Sequence, residues 1–160
     1  MTNCPNPIDD LPRRKHPAHG ILFIDGQPTV IFDTICTKDK VPWLANDEVH
    51  QLLREVWTEA AAWHVGRYVI MTDHIHLFAA GAESSIDYKH WVRYWKSQFS
   101  KRHKVAEHRW QTDDWDKRMR SAEQFADKWA YVVENPVRKG LVERSADWPF
   151  QGVVFDWRWE

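Results

Sequence analysis

Apolar positions along the chain follow two periods, near two and near 3.6 residues. Ile21 to Ile24 and Thr29 to Phe32 are short apolar runs separated by Asp25, Gly26, Gln27 and Pro28. They predict strand, turn, strand, with the second strand able to run on to Thr37. Val49, Leu52, Leu53, Val56, Trp57 and Ala60 recur at i, i+3, i+4 and i+7, which predicts a helix with one buried stripe. Asn46 is placed to cap it, and Asp47 and Glu48 suit the positive end of the helix dipole. Gly66 predicts a break. Beyond it Tyr68 to Met71 and His74 to Ala80 predict an antiparallel strand pair, joined tightly by Thr72 and Asp73.

A second helix is expected over roughly 86–104. Tyr88, Trp91, Trp95 and Phe99 lie on one side of it, and Lys89, Arg93, Lys96 and Lys104 on a neighbouring side. Residues 108–119 predict a strand interrupted by an acidic turn. Ser121, Ala122, Glu123 and Gln124 form a capping box that opens a third helix. Pro136 should stop that helix at Asn135, with Gly140 in the turn beyond. From Leu141 the chain reads as irregular, with Trp148, Pro149 and Phe150 able to pack back on the body.

The order βαββαβα predicts an α+β fold of the RRM or ferredoxin-like kind. A single antiparallel sheet of four to five strands would carry helices mainly on one face, leaving the other free for a site. The length of 160 residues suits one domain. Residues 1–19 hold four of the eight prolines and read as a flexible arm, 20–152 as the domain and 153–160 as a tail.

Hydrophobic residues make up 43% and charged residues 28%, a globular balance. No apolar run is long enough to span a bilayer, and the basic N-terminal segment lacks the apolar centre of a signal peptide. Cys4 and Cys36 alone predict no disulfide framework and fit a reducing cytoplasm. Net charge is −1, which does not favour a general nucleic-acid binder, yet the charge is patchy. Residues 86–109 carry seven Lys or Arg against Asp87 and Glu107, a net +5. Arg13, Arg14 and Lys15 form a second cluster. Such patches suit a protein that grips phosphates at chosen places. With eleven tryptophans, most must be core.

Two constellations could carry chemistry. His74 and His76 are i and i+2 of one strand, so both imidazoles leave one face while Ile75 and Leu77 point to the other. Two neutral imidazoles can fill two positions of a divalent ion. In a chain with nine histidines, such a triplet is also what chance supplies. Tyr131 falls off the third helix's stripe of Phe125, Trp129, Val132 and Val133, and Asn135 lies one turn on. A phenol beside an amide oxygen could be a nucleophile next to a third ligand. It could equally be a packing tyrosine and a helix stop. There is no phosphate loop with Gly-Lys-Ser/Thr and no zinc-ribbon cysteine pair.

These stretches resemble the REP-associated tyrosine transposases, bacterial members of the single-tyrosine HUH superfamily with an IS200-like transposase domain. YVIMTDHIHLF (68–78) resembles their strand pair with its His-hydrophobe-His motif. WAYVVENPVRKGLV (129–142) resembles their catalytic-tyrosine helix and the turn after it, and Asp147, Trp148 and Pro149 resemble their closing segment. The likeness runs over roughly 18–152. It implies Mg²⁺ or Mn²⁺ held by His74 and His76 with Asn135 as third protein ligand. It implies Tyr131 as a nucleophile that forms a 5′-phosphotyrosine link and frees a 3′-OH able to reverse the reaction. It implies single-stranded DNA folded into hairpins of the repetitive extragenic palindrome kind, handled by a monomer rather than a dimer, in the cytoplasm at the nucleoid. Phosphate contacts are then expected from Lys89, Arg93, Lys96, Lys104, Arg13 and Arg14. One departure stands out: Thr72-Asp73 replaces the family's frequent Pro-Asn, so an acid there either adds a metal contact or alters the turn. The alternatives are a domesticated hairpin-binding protein without catalysis and a small metal-binding domain with no nucleic-acid role.

Overall fold

A computed structural model describes residues 29–81 and 86–159. The expected arm, the strand over 21–24 and the Arg13–Arg14 cluster lie outside the described residues. In chain order the elements are β1 (Val30–Cys36), α1 (Asp47–Glu59), β2 (Trp63–Ile70), β3 (His74–Gly81), α2 (Tyr88–His103), β4 (Trp115–Met119), α3 (Ala122–Val133), α4 (Asn135–Arg138) and β5 (Gln151–Val153). The strands form one antiparallel sheet in the order β4-β1-β3-β2-β5. This is the expected α+β architecture, with a fifth strand in a tail that reads as irregular.

Every residue of β1 and β3 is buried, so these strands are covered on both faces. On the first face Ile31, Ile35, Ile75 and Leu77 pack against Leu53 and Trp57 of α1 and against Trp91, Trp95 and Phe99 of α2. On the second, Val30, Phe32, Val69 and Phe78 pack with Val132 and Trp148, and with the half-buried Phe125 and Trp129 of α3. The second face is therefore not bare, as the sequence suggests. The stripe of α3 needs an apolar partner, and the sheet's first face is already filled by α1 and α2. Trp43, Trp57, Trp63, Trp91, Trp95 and Trp148 are buried, which leaves five of the eleven indole rings half exposed. Among the described residues no helix is long and apolar enough to cross a membrane.

The caps are placed as expected at two helices. Asn46 accepts from Val49 N–H at 2.9 Å, and Ser121 accepts from Gln124 N–H at 3.0 Å. Gln124 turns back to the N–H of Arg120 rather than Ser121, so the box closes one residue early. Gly66 does not break β2. It sits in a bulge between Val65 and Tyr68, which shifts the alternation by one so that Val65 and Tyr68 both join the first core. The Trp157 ring lies over it: a Cβ at 66 would come within 2.7 Å of that ring, whose Nε1 donates to the His64 carbonyl.

One polar cluster lies under α2. Asp33 of β1 is fully buried and accepts a 2.6 Å bond from the Tyr88 hydroxyl. Burial, and then the neighbouring Asp114 and Asp116, push its carboxyl well above the usual carboxylate range. Lys96 faces Asp114 and Asp33 as well, together with Asp113. A carboxyl raised on folding favours the folded state fully below its ordinary value of 3.8, and that contribution is lost as pH rises through the folded value. Asp33→Asn keeps an acceptor for Tyr88 and has no proton to lose. It should be more stable than the wild type at pH 7 in urea melts, with the gap closing as the pH falls toward 4. A variant less stable at pH 7 would mean that Asp33 is ionised and that its charge is used.

Candidate functional site

His74 and His76 leave the second face of β3, and each has its outer ring nitrogen assigned. Asp73 Oδ1 lies 2.7 Å from His74 Nδ1. That hydrogen bond is the largest cause of the lowered Asp73 carboxyl pKa, so the carboxylate is ionised and can only accept. His74 Nδ1 therefore carries the proton. Thr34, directly across on β1, places Oγ1 3.0 Å from His76 Nδ1. Both Nε2 atoms converge on the side-chain amide of Asn135, whose Nδ2 lies 3.4 Å from His74 Nε2 and 3.2 Å from His76 Nε2. An amide nitrogen only donates, so both Nε2 atoms present lone pairs to one point. A half turn of the Asn135 amide would present its oxygen there instead.

All three residues are buried, His76 completely. Burial holds the His76 imidazole well below its ordinary 6.5, and the repulsion that a protonated His74 would add, with the charges of Lys128 and Arg138, lowers it further. His76 also stacks on Phe32. Two neutral nitrogens and a turnable amide oxygen, with a carboxylate fixing one tautomer from behind, suit a divalent ion that keeps positions open for other ligands. Among the described residues no group of three or more His, Cys, Asp or Glu is placed to hold a metal, and the amide of Asn135 is the further polar group at the two Nε2 atoms. Asp73 is behind His74 rather than beside the convergence point.

Asn135 reaches the site through a break that the sequence places two residues late. α3 ends at Val133, and Pro136, which lacks an N–H, sits in the first turn of α4. Tyr131 and Asn135 thus belong to consecutive helical segments. Asn135 is 3% exposed and Tyr131 37%, so they do not share one environment. Arg138 returns over Tyr131, its guanidinium carbon 3.7 Å from the ring centroid. Lys128, one turn before Tyr131, has its ammonium 5.1 Å from the Phe32 ring that backs His76.

No protein-family model matches the chain. A relative from Haemophilus influenzae, named putative REP-associated tyrosine transposase, is 27% identical over 135 residues, covering 74% of this chain and 76% of that protein. A second, the REP-associated tyrosine transposase of Escherichia coli K12, is 27% identical over 89 residues, 55% of this chain and 53% of that protein. This chain is similar to the REP-associated tyrosine transposases. A solved REP-associated tyrosine transposase bound to a REP hairpin has the same fold, with a TM-score of 0.71 over 88% of this chain and 81% of that one at 22% identity.

In this protein the basic stripe of α2 is not beside the histidines. The helix packs on the first face of the sheet, and the histidines lie on the second. Lys89 and Arg93 are therefore across the sheet from them. Lys96 is 8% exposed and donates from Nζ to the Gln111 carbonyl at 3.1 Å, facing the buried acids, so it is not open to a phosphate. The even charge spacing along α2 hides this, because the acids that draw Lys96 inward come from β1 and from the chain around β4. Lys104 caps α2 in a left-handed conformation, φ 59°, and is exposed. The cations that do approach the site, Lys128 and Arg138, were legible only as positions three before Tyr131 and three after Asn135.

A depressed imidazole contributes stability that is complete above its ordinary 6.5 and is lost as pH falls through the folded value. NMR titration of the ring protons of the metal-free protein should find His76 still neutral, with Nδ1 protonated, at pH 6. A midpoint near 6.5 would mean that water reaches the ring and that the site is open.

Proposed function

We propose that this protein is a DNA strand transferase: it cuts and rejoins single-stranded, hairpin-forming DNA of the REP type through a 5′-phosphotyrosine at Tyr131. The observation that carries this reading is the meeting of His74, His76 and Asn135 just past the helix that bears Tyr131. His74 and His76, with Asn135 turned to offer its oxygen, would hold Mg²⁺ or Mn²⁺. Such an ion polarises a phosphate oxygen and disperses the charge that builds up during displacement. Tyr131 Oη attacks the phosphorus, the new P–O bond replaces the bond to the 3′ oxygen, and that oxygen leaves as a 3′-OH. The same hydroxyl, attacking the phosphotyrosine, restores the strand and frees the phenol. Arg138 fixes the ring by stacking and puts a permanent charge with phosphate-matching geometry beside it. Lys128 adds a second positive charge near the histidines.

The other tyrosines are poorer candidates. Tyr68 and Tyr88 are buried, and Tyr94 is on α2, across the sheet. The relatives' names and the hairpin held by the solved relative support a hairpin substrate here. We place the protein in the cytoplasm, at the nucleoid, acting as a monomer.

Wild-type protein incubated with labelled hairpin DNA and Mn²⁺ should give a denaturant-resistant adduct that disappears with chelator. Tyr131→Phe should give none while binding the hairpin as tightly. Equal adduct from both proteins would remove Tyr131 from the role. Hairpin binding by the wild type with no adduct would instead identify a binding protein that has lost catalysis.

Asp73→Asn tests the support behind His74. It removes the ionised acceptor that sets the tautomer, so Mn²⁺ affinity by titration calorimetry should fall by roughly 10- to 100-fold. Unchanged affinity would show that the imidazole is held by its burial alone.

A further inference from the structure

A cavity of about 870 Å³ opens between the C-terminal end of α2, the turn at Lys38–Lys40 and the segment that leads into β4. We infer that it binds the phosphodiester backbone of a single-stranded flank running from the histidine face around the β1–β4 edge of the sheet. This rests on the DNA reading above and adds to it a path for the strand beside the hairpin.

Three observations converge. The first is position. Trp115 lines the cavity and pairs in register with Thr34, which in turn pairs with His76. Trp115 and His76 are thus two strand spacings apart, roughly 10 Å along one row of the sheet. The turn at Lys38–Lys40 lies at the same end as the metal-ligand candidates: the Thr37 N–H donates to the Asp73 carbonyl, and the charge of Lys40 acts on the Asp73 carboxylate.

The second observation is charge. Lys38, Lys104 and Arg109 line the cavity and are exposed, with Lys96 deeper in its wall. Two acids, Asp39 and Asp113, also line it, so the three exposed cations leave a surplus of one positive charge. Backbone bonds fix two of the cations side by side, since the Lys38 N–H donates to the Arg109 carbonyl and Thr37 bridges Trp110. An anionic ligand gains from cations whose backbone is already ordered.

The third observation is surface type. Ser97, Ser100 and Thr112 line the cavity beside the half-exposed Trp110 and Trp115. Hydroxyls, cations and indole rings together are what a backbone with unpaired bases uses, through phosphate bonds and stacking. A folded duplex stem would present no base faces to such rings.

The test compares a blunt REP-type hairpin with the same hairpin carrying a single-stranded flank, by fluorescence anisotropy over a range of salt. The variant combines Lys38→Gln, Lys104→Asn and Arg109→Gln; Asn tolerates the left-handed backbone at 104. Wild type should bind the flanked hairpin more tightly than the blunt one. The variant should lose that advantage, weakening flanked binding about tenfold or more and lowering its salt slope by roughly 2, about 0.7 for each phosphate no longer neutralised. Its blunt-hairpin affinity should stay unchanged, which also reports that it is folded. Equal flanked binding by variant and wild type overturns the assignment and leaves the hairpin reading standing. Equal loss for both DNAs overturns it too, because the cavity would then hold the stem. Wild type that binds neither DNA removes the hairpin reading, and this inference with it.

Discussion

Neutral imidazoles inside a core are tolerable only when each polar nitrogen has a partner, and the rest of this site follows from meeting that condition. His76 is supplied by Thr34 from the neighbouring strand, His74 by the residue before it in sequence. What remains is one lone pair on each ring, and both point at the same amide. The sheet supplies the alternation, the second core supplies the dryness, and α4 supplies the amide that both rings meet.

The alternation was readable because β-strand geometry is local. His74 and His76 had to share a face, with Ile75 and Leu77 on the other, whatever packed against them. The helix stripes and the caps at Asn46 and Ser121 were readable for the same reason. What lay beyond reach were the choices made between distant segments. The sequence does not show that α3 covers the second face. Nor does it show that acids from β1 and the chain before β4 pull Lys96 inward, or that Gly66 bulges under a tryptophan ninety-one positions later. The role of Asp73 was open between two local options. Its resolution came from where the carboxylate of an adjacent residue could reach.

The distribution of charge separates recognition from chemistry. A single helix carries the most basic segment of the chain, yet its outer residues lie across the sheet from the histidines. Lys128 and Arg138, sparse in the sequence, are the ones whose fields reach His76. Net charge and local runs describe how a protein is met at a distance. The field at a buried group is set by which few side chains the fold turns toward it.

Trp157 lies over Gly66 at one end of β2 and packs against Phe125 of α3, which in turn rests edge-on upon Phe78 of β3. The helix that carries Tyr131 is thus seated partly by residues that follow it in the chain. A side chain at 66 would displace the indole, and a smaller residue at 157 would leave the bulge and Phe125 without their cover. The two positions form one lock, free to change only together, and part of the seat of the helix that carries Tyr131 rests on it.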